Sequence, residues 1–304
     1  MKQALLLVAH GTVDDLDELP SFVARIRRGH PAPPELLLEL RRRYDAIGGR
    51  SPLNEINRRL AERVEAATGV TTRVANRLAR PFVNEVMEGL AKDGVTHVAA
   101  VPLAQYSTHV YAEAVEGAAK ELGLTASCAQ TWAVEPGLIE AYVDAIRGAS
   151  AGIEDISRAT VVLSAHSLPV AAIRAGDPYE HEFRAAADAV VARLASSAGS
   201  PVARTTIAFQ SQGMSTGPGG RPVEWLGPEL LATIDECRSR GDRDVIFAPI
   251  GFLADHVEIL YDLDVEARGW VEGRGMAFHR TRSLNDGDAL VGVIARIART
   301  VLHA

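Results

Sequence analysis

VVLSAHSLP, Val161–Pro169, repeats near the middle of the chain a phrase that stands near its start, LLLVAHGTV, Leu5–Val13. Each is an aliphatic run of strand length followed by Ala-His and a small residue. The two histidines, His10 and His166, lie 156 positions apart (166 − 10) in a chain of 304 residues. An echo at half the chain length points to two similar halves, and this length suffices for two ordinary domains.

Outward from these phrases, short aliphatic runs alternate with helical patterns. Pro34 opens a helix at its first position, Leu37, Leu40, Tyr44 and Ile47 follow at helical spacing, and Gly48-Gly49 ends it. Ser51 then suits an N-cap with Pro52 behind it, before the stripe Leu53, Ile56, Leu60, Val64. Beyond Gly148–Ala159, a small-residue stretch that reads as a linker, the alternation begins again. Strands alternating with helices imply parallel sheets with right-handed crossovers. The expectation is therefore two similar doubly wound, Rossmann-like α/β domains, 1–150 and 151–304, around a central cleft. Ligands of such sheets bind beyond the carboxyl ends of the strands, where both Ala-His pairs fall. A second echo supports the duplication: GVTHVAAVPLAQYST and RDVIFAPIGFLADH each run strand, proline, aliphatic, then a polar group.

Composition narrows the function. With 47% hydrophobic and 23% charged residues the chain has a globular profile, and a formal charge of −7 disfavours nucleic acid as partner. Two cysteines, Cys128 and Cys237, cannot supply the four thiolates of an iron-sulfur cluster, so none is expected. No apolar stretch approaches the ~20 residues needed to span a bilayer. The run at the start reads as a buried strand rather than a signal peptide, which makes the cytoplasm the expected location.

Two places carry candidate chemistry. His166 follows a buried strand and precedes Ser-Leu-Pro, which halts the backbone and holds the imidazole at the strand tip, as a functional group or as a satisfied structural histidine. Glu258, Asp262 and Glu266 are spaced i, i+4, i+8 and on a helix would form an acidic ladder, or only a solvated edge. An imidazole with a carboxylate suits a borderline divalent metal such as Fe(II), or a proton acceptor with a carboxylate behind it. HExxH, zinc-ribbon, P-loop, GxGxxG and GxSxG patterns do not occur.

SAHSLP, together with GDPY (Gly176–Tyr179), FQS (Phe209–Ser211), EWLGP (Glu224–Pro228) and GFLADHVEILYDLD (Gly251–Asp264), resembles the ferrochelatase family in order and along nearly the full chain. IRRG (Ile26–Gly29) followed by RYDAIGGRSPL (Arg43–Leu53) is most similar to the ferrochelatases that metallate coproporphyrin III rather than protoporphyrin. The resemblance implies a class II chelatase-like fold, with His166 and Glu258 as the metal- and proton-handling pair. It places Arg27, Arg43, Tyr44 and Ser51 at the porphyrin carboxylates, which arginine suits through paired donors. Tyr111 is a candidate for apolar wall around the macrocycle, or equally for the hydrophobic core. Fe(II) and the porphyrin are substrates, no tightly bound cofactor is expected, and a monomer is the expected state.

His10 departs from this pattern, because the relatives carry a tyrosine there. The phrase VAHGT instead resembles the small cobalt and sirohydrochlorin chelatases, so His10 is a candidate third metal ligand and substrate contact. Three alternatives remain open: a protoporphyrin IX ferrochelatase, a cobalt or sirohydrochlorin-type chelatase, and a tetrapyrrole carrier without enzymatic activity.

Overall fold

In the computed structural model, which describes residues 2–196, 204–215 and 221–303, the first half runs β1 (Gln3–Ala9), α1 (Leu19–Ile26), α2 (Pro34–Ala46), α3 (Leu53–Thr68) and β2 (Thr72–Asn76). It continues through α4 (Val83–Lys92), β3 (His97–Pro102), α5 (His109–Leu122), β4 (Thr125–Cys128) and α6 (Pro136–Ser150). Then follow β5 (Ala159–His166), α7 (Val170–Arg174), α8 (Tyr179–Ala195), β6 (Arg204–Gln210), α9 (Leu230–Ser239) and β7 (Asp244–Ala248). The chain ends with α10 (Val257–Leu260), a π-helical turn (Asp262–Ala267), α11 (Arg268–Glu272), β8 (Ala277–Arg280) and α12 (Asp288–Leu302).

The strands form two parallel sheets of identical order, β2-β1-β3-β4 and β6-β5-β7-β8. The duplication read from the two Ala-His phrases is thus a topological one: β5 takes in the second sheet the place of β1 in the first. The second echo holds in the same way, with β3 and β7 in corresponding positions. Leu5, Leu6, Leu7 and Val8 of β1 and Val161 and Val162 of β5 are wholly buried, as continuous aliphatic runs must be when helices cover both faces of a sheet. No helix among the described residues is long and apolar enough to cross a membrane.

The compact units do not follow the expected 1–150 and 151–304 division. One comprises Met1–Trp132, Leu253–Val257 and Leu284–Ala304, and the other Ala133–Phe252 and Glu258–Ser283. The reason is an exchange of helices. α6, from the first half of the chain, packs on α8 and on β7 and β8, burying Leu138, Ile139, Tyr142, Val143 and Ile146. α12, from the end of the chain, packs on α3 and on β1, β3 and β4 with Leu290, Val293, Ile294 and Ala298. The chain passes between the units just before α6, ahead of the small-residue stretch at 148–159, because α6 buries its apolar face in the second unit.

The glycine-histidine neighbourhoods at the strand tips are tight. Gly11, next to His10, has φ +86°, and a Cβ there would lie 2.7 Å from Asn76 Cβ. Gly251 donates its N–H to Ser164 O at 2.9 Å, and a Cβ on it would fall 2.5 Å from Cα of Ala165, the residue before His166. Since that obstacle is strand backbone, Gly251→Ala is expected to destabilise the protein by about 1–3 kcal/mol. Chemical denaturation monitored by circular dichroism would read this as a lowered midpoint, and an unchanged midpoint would contradict the close approach.

Candidate active site

The second unit brings His166 and Glu258 together. Its strand β5 is buried up to Ala165 and ends at His166, where the following turn is pinned from two sides. Ser167 donates its N–H to Gln210 O at 2.7 Å and its hydroxyl to Leu226 O at 2.9 Å. Leu226 in turn donates to Leu168 O at 2.9 Å. The Ser-Leu-Pro run is therefore stitched to the Glu224–Pro228 motif, and the imidazole stands at a fixed strand end. Glu258 arrives on the first turn of α10, and its Oε2 lies 2.9 Å from His166 Nδ1. Both side chains are about one-third exposed, 32% for His166 and 33% for Glu258, so the pair opens to solvent on one side.

Burial opposes a charge on His166. The charge and hydrogen bond of Glu258, with the more distant charge of Asp262, outweigh it and raise the imidazole above its ordinary 6.5. With Glu258 accepting from Nδ1–H, the lone pair of the neutral ring lies on Nε2, and a proton or metal taken there is balanced by the carboxylate behind it.

The acidic ladder is not one face. The N–H groups of Val265 and Glu266 both reach Tyr261 O, at 3.1 and 3.0 Å, and this widened turn shifts Glu266 out of the α-helical register. Asp262 is buried, 4% exposed, and accepts a hydrogen bond from the Ser211 hydroxyl. Asp264 accepts a two-pronged ion pair from Arg280 at 2.7 and 2.9 Å. Among the described residues no group of three or more His, Cys, Asp and Glu side chains is arranged to hold a metal ion.

The other predicted residues belong to the first unit. His10 lies exposed just past β1 and meets Phe22 edge-on, with ring centroids 6.2 Å apart. Tyr44 is buried in a small core with Val13, Leu19, Phe22 and Val23, and its hydroxyl is 2.7 Å from Thr12 Oγ1. Arg27 is half-buried at the C-cap of α1. Arg43 gives its Nε–H to Glu39 at 2.8 Å. The hydrogen bond from Arg42 to Glu39, against the effect of burial and with help from Arg43, holds that carboxyl at about 2. Ser51 is buried and its hydroxyl accepts weakly from Leu53 N at 3.4 Å, while Pro52 occupies the N-cap of α3, one residue later than the spacing suggests. Tyr111 lies on α5 beneath the Arg77 guanidinium, 5.1 Å from its ring centre, and burial pushes its hydroxyl pKa up.

Two further polar residues hold parts of the Gly251–Asp264 motif, and the sequence reading assigns a role to neither. Asn285, at φ +51°, exchanges bonds with Asp255: it accepts from Asp255 N at 2.8 Å and donates to the Asp255 carboxylate at 3.0 Å. Gln210, only 2% exposed, donates to the backbone carbonyl of Glu258 at 3.0 Å. The FQS motif marks Gln210 in sequence without saying what its amide holds, and Asn285 stands outside every quoted motif.

Comparison with known proteins agrees with the motif reading. Residues 2–302 match the family model described as Ferrochelatase. The chain is 32% identical to a protein named ferrochelatase from Acidobacterium capsulatum, covering 99% of this chain and 95% of that one. It is 33% identical to a coproporphyrin III ferrochelatase from Geobacillus kaustophilus, covering 96% and 94%. Among solved structures, SirB from Bacillus subtilis with Fe3+ superposes with a TM-score of 0.61 at 14% identity, covering 99% of this chain and 96% of SirB. That likeness is one of fold and bears out the two-sheet chelatase architecture.

Proposed function

We propose that this chain, which belongs to the ferrochelatase family, inserts Fe(II) into coproporphyrin III. Metal insertion into a porphyrin is the activity of the family; the choice of porphyrin and the roles of individual residues are our reading. The observation that carries the chemistry is the contact between His166 Nδ1 and Glu258 Oε2 at 2.9 Å. Insertion forms metal-nitrogen bonds and expels two pyrrole protons. His166 takes a proton on Nε2, Glu258 stabilises the resulting imidazolium, and the carboxylate is the next acceptor when the ring is needed again. Fe(II), a borderline cation, suits the same imidazole and carboxylate as transient ligands. A planar porphyrin shields its N–H groups, so contacts to remote carboxylates offset the cost of distorting it.

Coproporphyrin is favoured by the segment holding Arg27 and Arg43 and by the names of the relatives that align across it. Arg27→Ala is expected to weaken coproporphyrin binding by about 1.5–3 kcal/mol, roughly ten- to a hundredfold, with turnover at saturation little changed. Arg43→Ala is expected at the lower end, because Arg43 already shares its charge with Glu39. Fluorescence quenching titrations measure both, and equal binding of coproporphyrin and protoporphyrin by the unaltered protein would remove the basis for the choice.

His10 favours a second reading, insertion of cobalt or iron into a more reduced tetrapyrrole, since an exposed imidazole past β1 is a stronger ligand than the tyrosine it replaces. One anaerobic experiment separates the readings: Fe(II) or Co(II) with coproporphyrin III, protoporphyrin IX or sirohydrochlorin, following the collapse of the free-base absorption bands. Fastest turnover of coproporphyrin with Fe(II) is expected. A preference for sirohydrochlorin would select the second reading, and binding without turnover would indicate a carrier.

A further inference from the structure

α10 is four residues long and runs at once into the widened turn at Asp262–Ala267. A helix so short has little rigidity of its own, because nearly all its backbone bonds belong to ends. Glu258 nevertheless meets His166 at hydrogen-bond distance, so something outside the helix fixes the backbone that carries it. Gln210 makes that connection. It ends β6 directly opposite His166 in the sheet register. Its main-chain carbonyl receives the N–H of Ser167, beside the imidazole, at 2.7 Å, while its side-chain Nε2 donates to Glu258 O at 3.0 Å. The amide cannot turn over without loss, because its Oε1 is occupied by the hydroxyl of the fully buried Ser164 at 2.9 Å. The next residue, Ser211, ties Asp262 one turn further along.

We infer that Gln210 is a positioning residue: its carboxamide, oriented by Ser164, fastens the backbone of Glu258 to the strand end that bears His166 and so keeps the carboxylate on the imidazole. This rests on the reading of His166 and Glu258 as the working pair. A buried glutamine whose only purpose was to fill space and satisfy its own polar atoms would matter for stability alone. One that acts through Glu258 should matter for turnover, and should stop mattering once the carboxylate is gone.

Gln210→Met keeps the length of the side chain and removes both hydrogen bonds of the carboxamide. Three measurements are made on the full chain: the crystal structure of the variant, steady-state iron insertion, and the same substitution combined with Glu258→Gln. The His166–Glu258 contact should be lost in the crystal. The turnover number should fall about ten- to a hundredfold, as expected for a misplaced group, with the porphyrin KM unchanged. In the Glu258→Gln background the further loss should be less than about twofold. Equal losses in both backgrounds, or a contact preserved at its present length with full turnover, would overturn the inference. Should the wild type insert no metal into any porphyrin, the functional reading fails, and the crystallographic distance still decides whether Gln210 holds Glu258 in place. If Gln210→Met does not fold, Ser164→Ala leaves the glutamine present but free to turn, and an undisturbed contact in that variant would count against the inference.

Discussion

Replacing His166 by alanine is expected to remove nearly all iron insertion, a loss of roughly 10²–10⁴-fold, while porphyrin binding and the fold persist. The contacts proposed for the porphyrin carboxylates run from the C-cap of α1 to the turn before α3, so the affinity for coproporphyrin measured by fluorescence quenching should be unchanged. The fold should persist because Glu258, one-third exposed, stays solvated when its partner is removed. For a pair this open the loss of stability is at most about 1 kcal/mol. Near-normal turnover in this variant would refute the assignment of the proton acceptor.

The raised pKa of His166 gives the same variant a second signature. In the folded protein the imidazolium is favoured over its unfolded counterpart, so the pair contributes stability that is fully present below the ordinary value of 6.5. That contribution is lost as pH rises through the raised folded value. His166→Ala should flatten this part of the stability profile. The rate should run the other way in the wild type. Only the neutral ring accepts a proton, so insertion should increase with pH through a midpoint above 6.5.

Much of this architecture is legible from residue order, for reasons that particular elements make plain. β1 and β5 are buried on both faces, and such strands must be unbroken aliphatic runs, so the two Ala-His phrases mark equivalent strand ends. The helix exchange is not legible. The apolar stripe of α6 states that it needs a cover but not which sheet supplies it, and a small-residue stretch after α6 resembles a boundary whether or not the chain crosses there. The acidic ladder misleads for a related reason. Spacing of i, i+4, i+8 assumes an α-helix throughout, and nothing in DLDVEA announces the wide turn that separates Glu266 from the stripe. Gln210 stands in the FQS motif, but its role is hidden because its partner is a backbone carbonyl 48 positions away, which no side-chain pattern encodes.

Glu258→Gln is the sharper test of the pair, because it keeps volume and an acceptor oxygen while deleting only the charge. The variant's amide oxygen can still accept a hydrogen bond from Nδ1–H, so the geometry of His166 need not change. What changes is the imidazolium that forms when a pyrrole proton arrives: it has lost its counter-charge, and the pKa of His166 should fall back from its raised value. An amide turned the other way would present N–H to Nδ1 and force the ring to carry its own proton on Nε2, leaving no lone pair for the substrate. Either outcome impairs proton removal, and a loss of at least about 10²-fold in iron insertion is expected, with porphyrin binding intact. Asp262→Asn should cost less, since that carboxylate is buried against Ser211 and reaches His166 only through its field. Glu266→Gln should cost least, because the widened turn takes it out of line with the other two. If insertion survived Glu258→Gln but vanished in either of the other variants, the rung of the acidic segment that serves His166 would be a different one, and the 2.9 Å contact would be a bystander to the reaction.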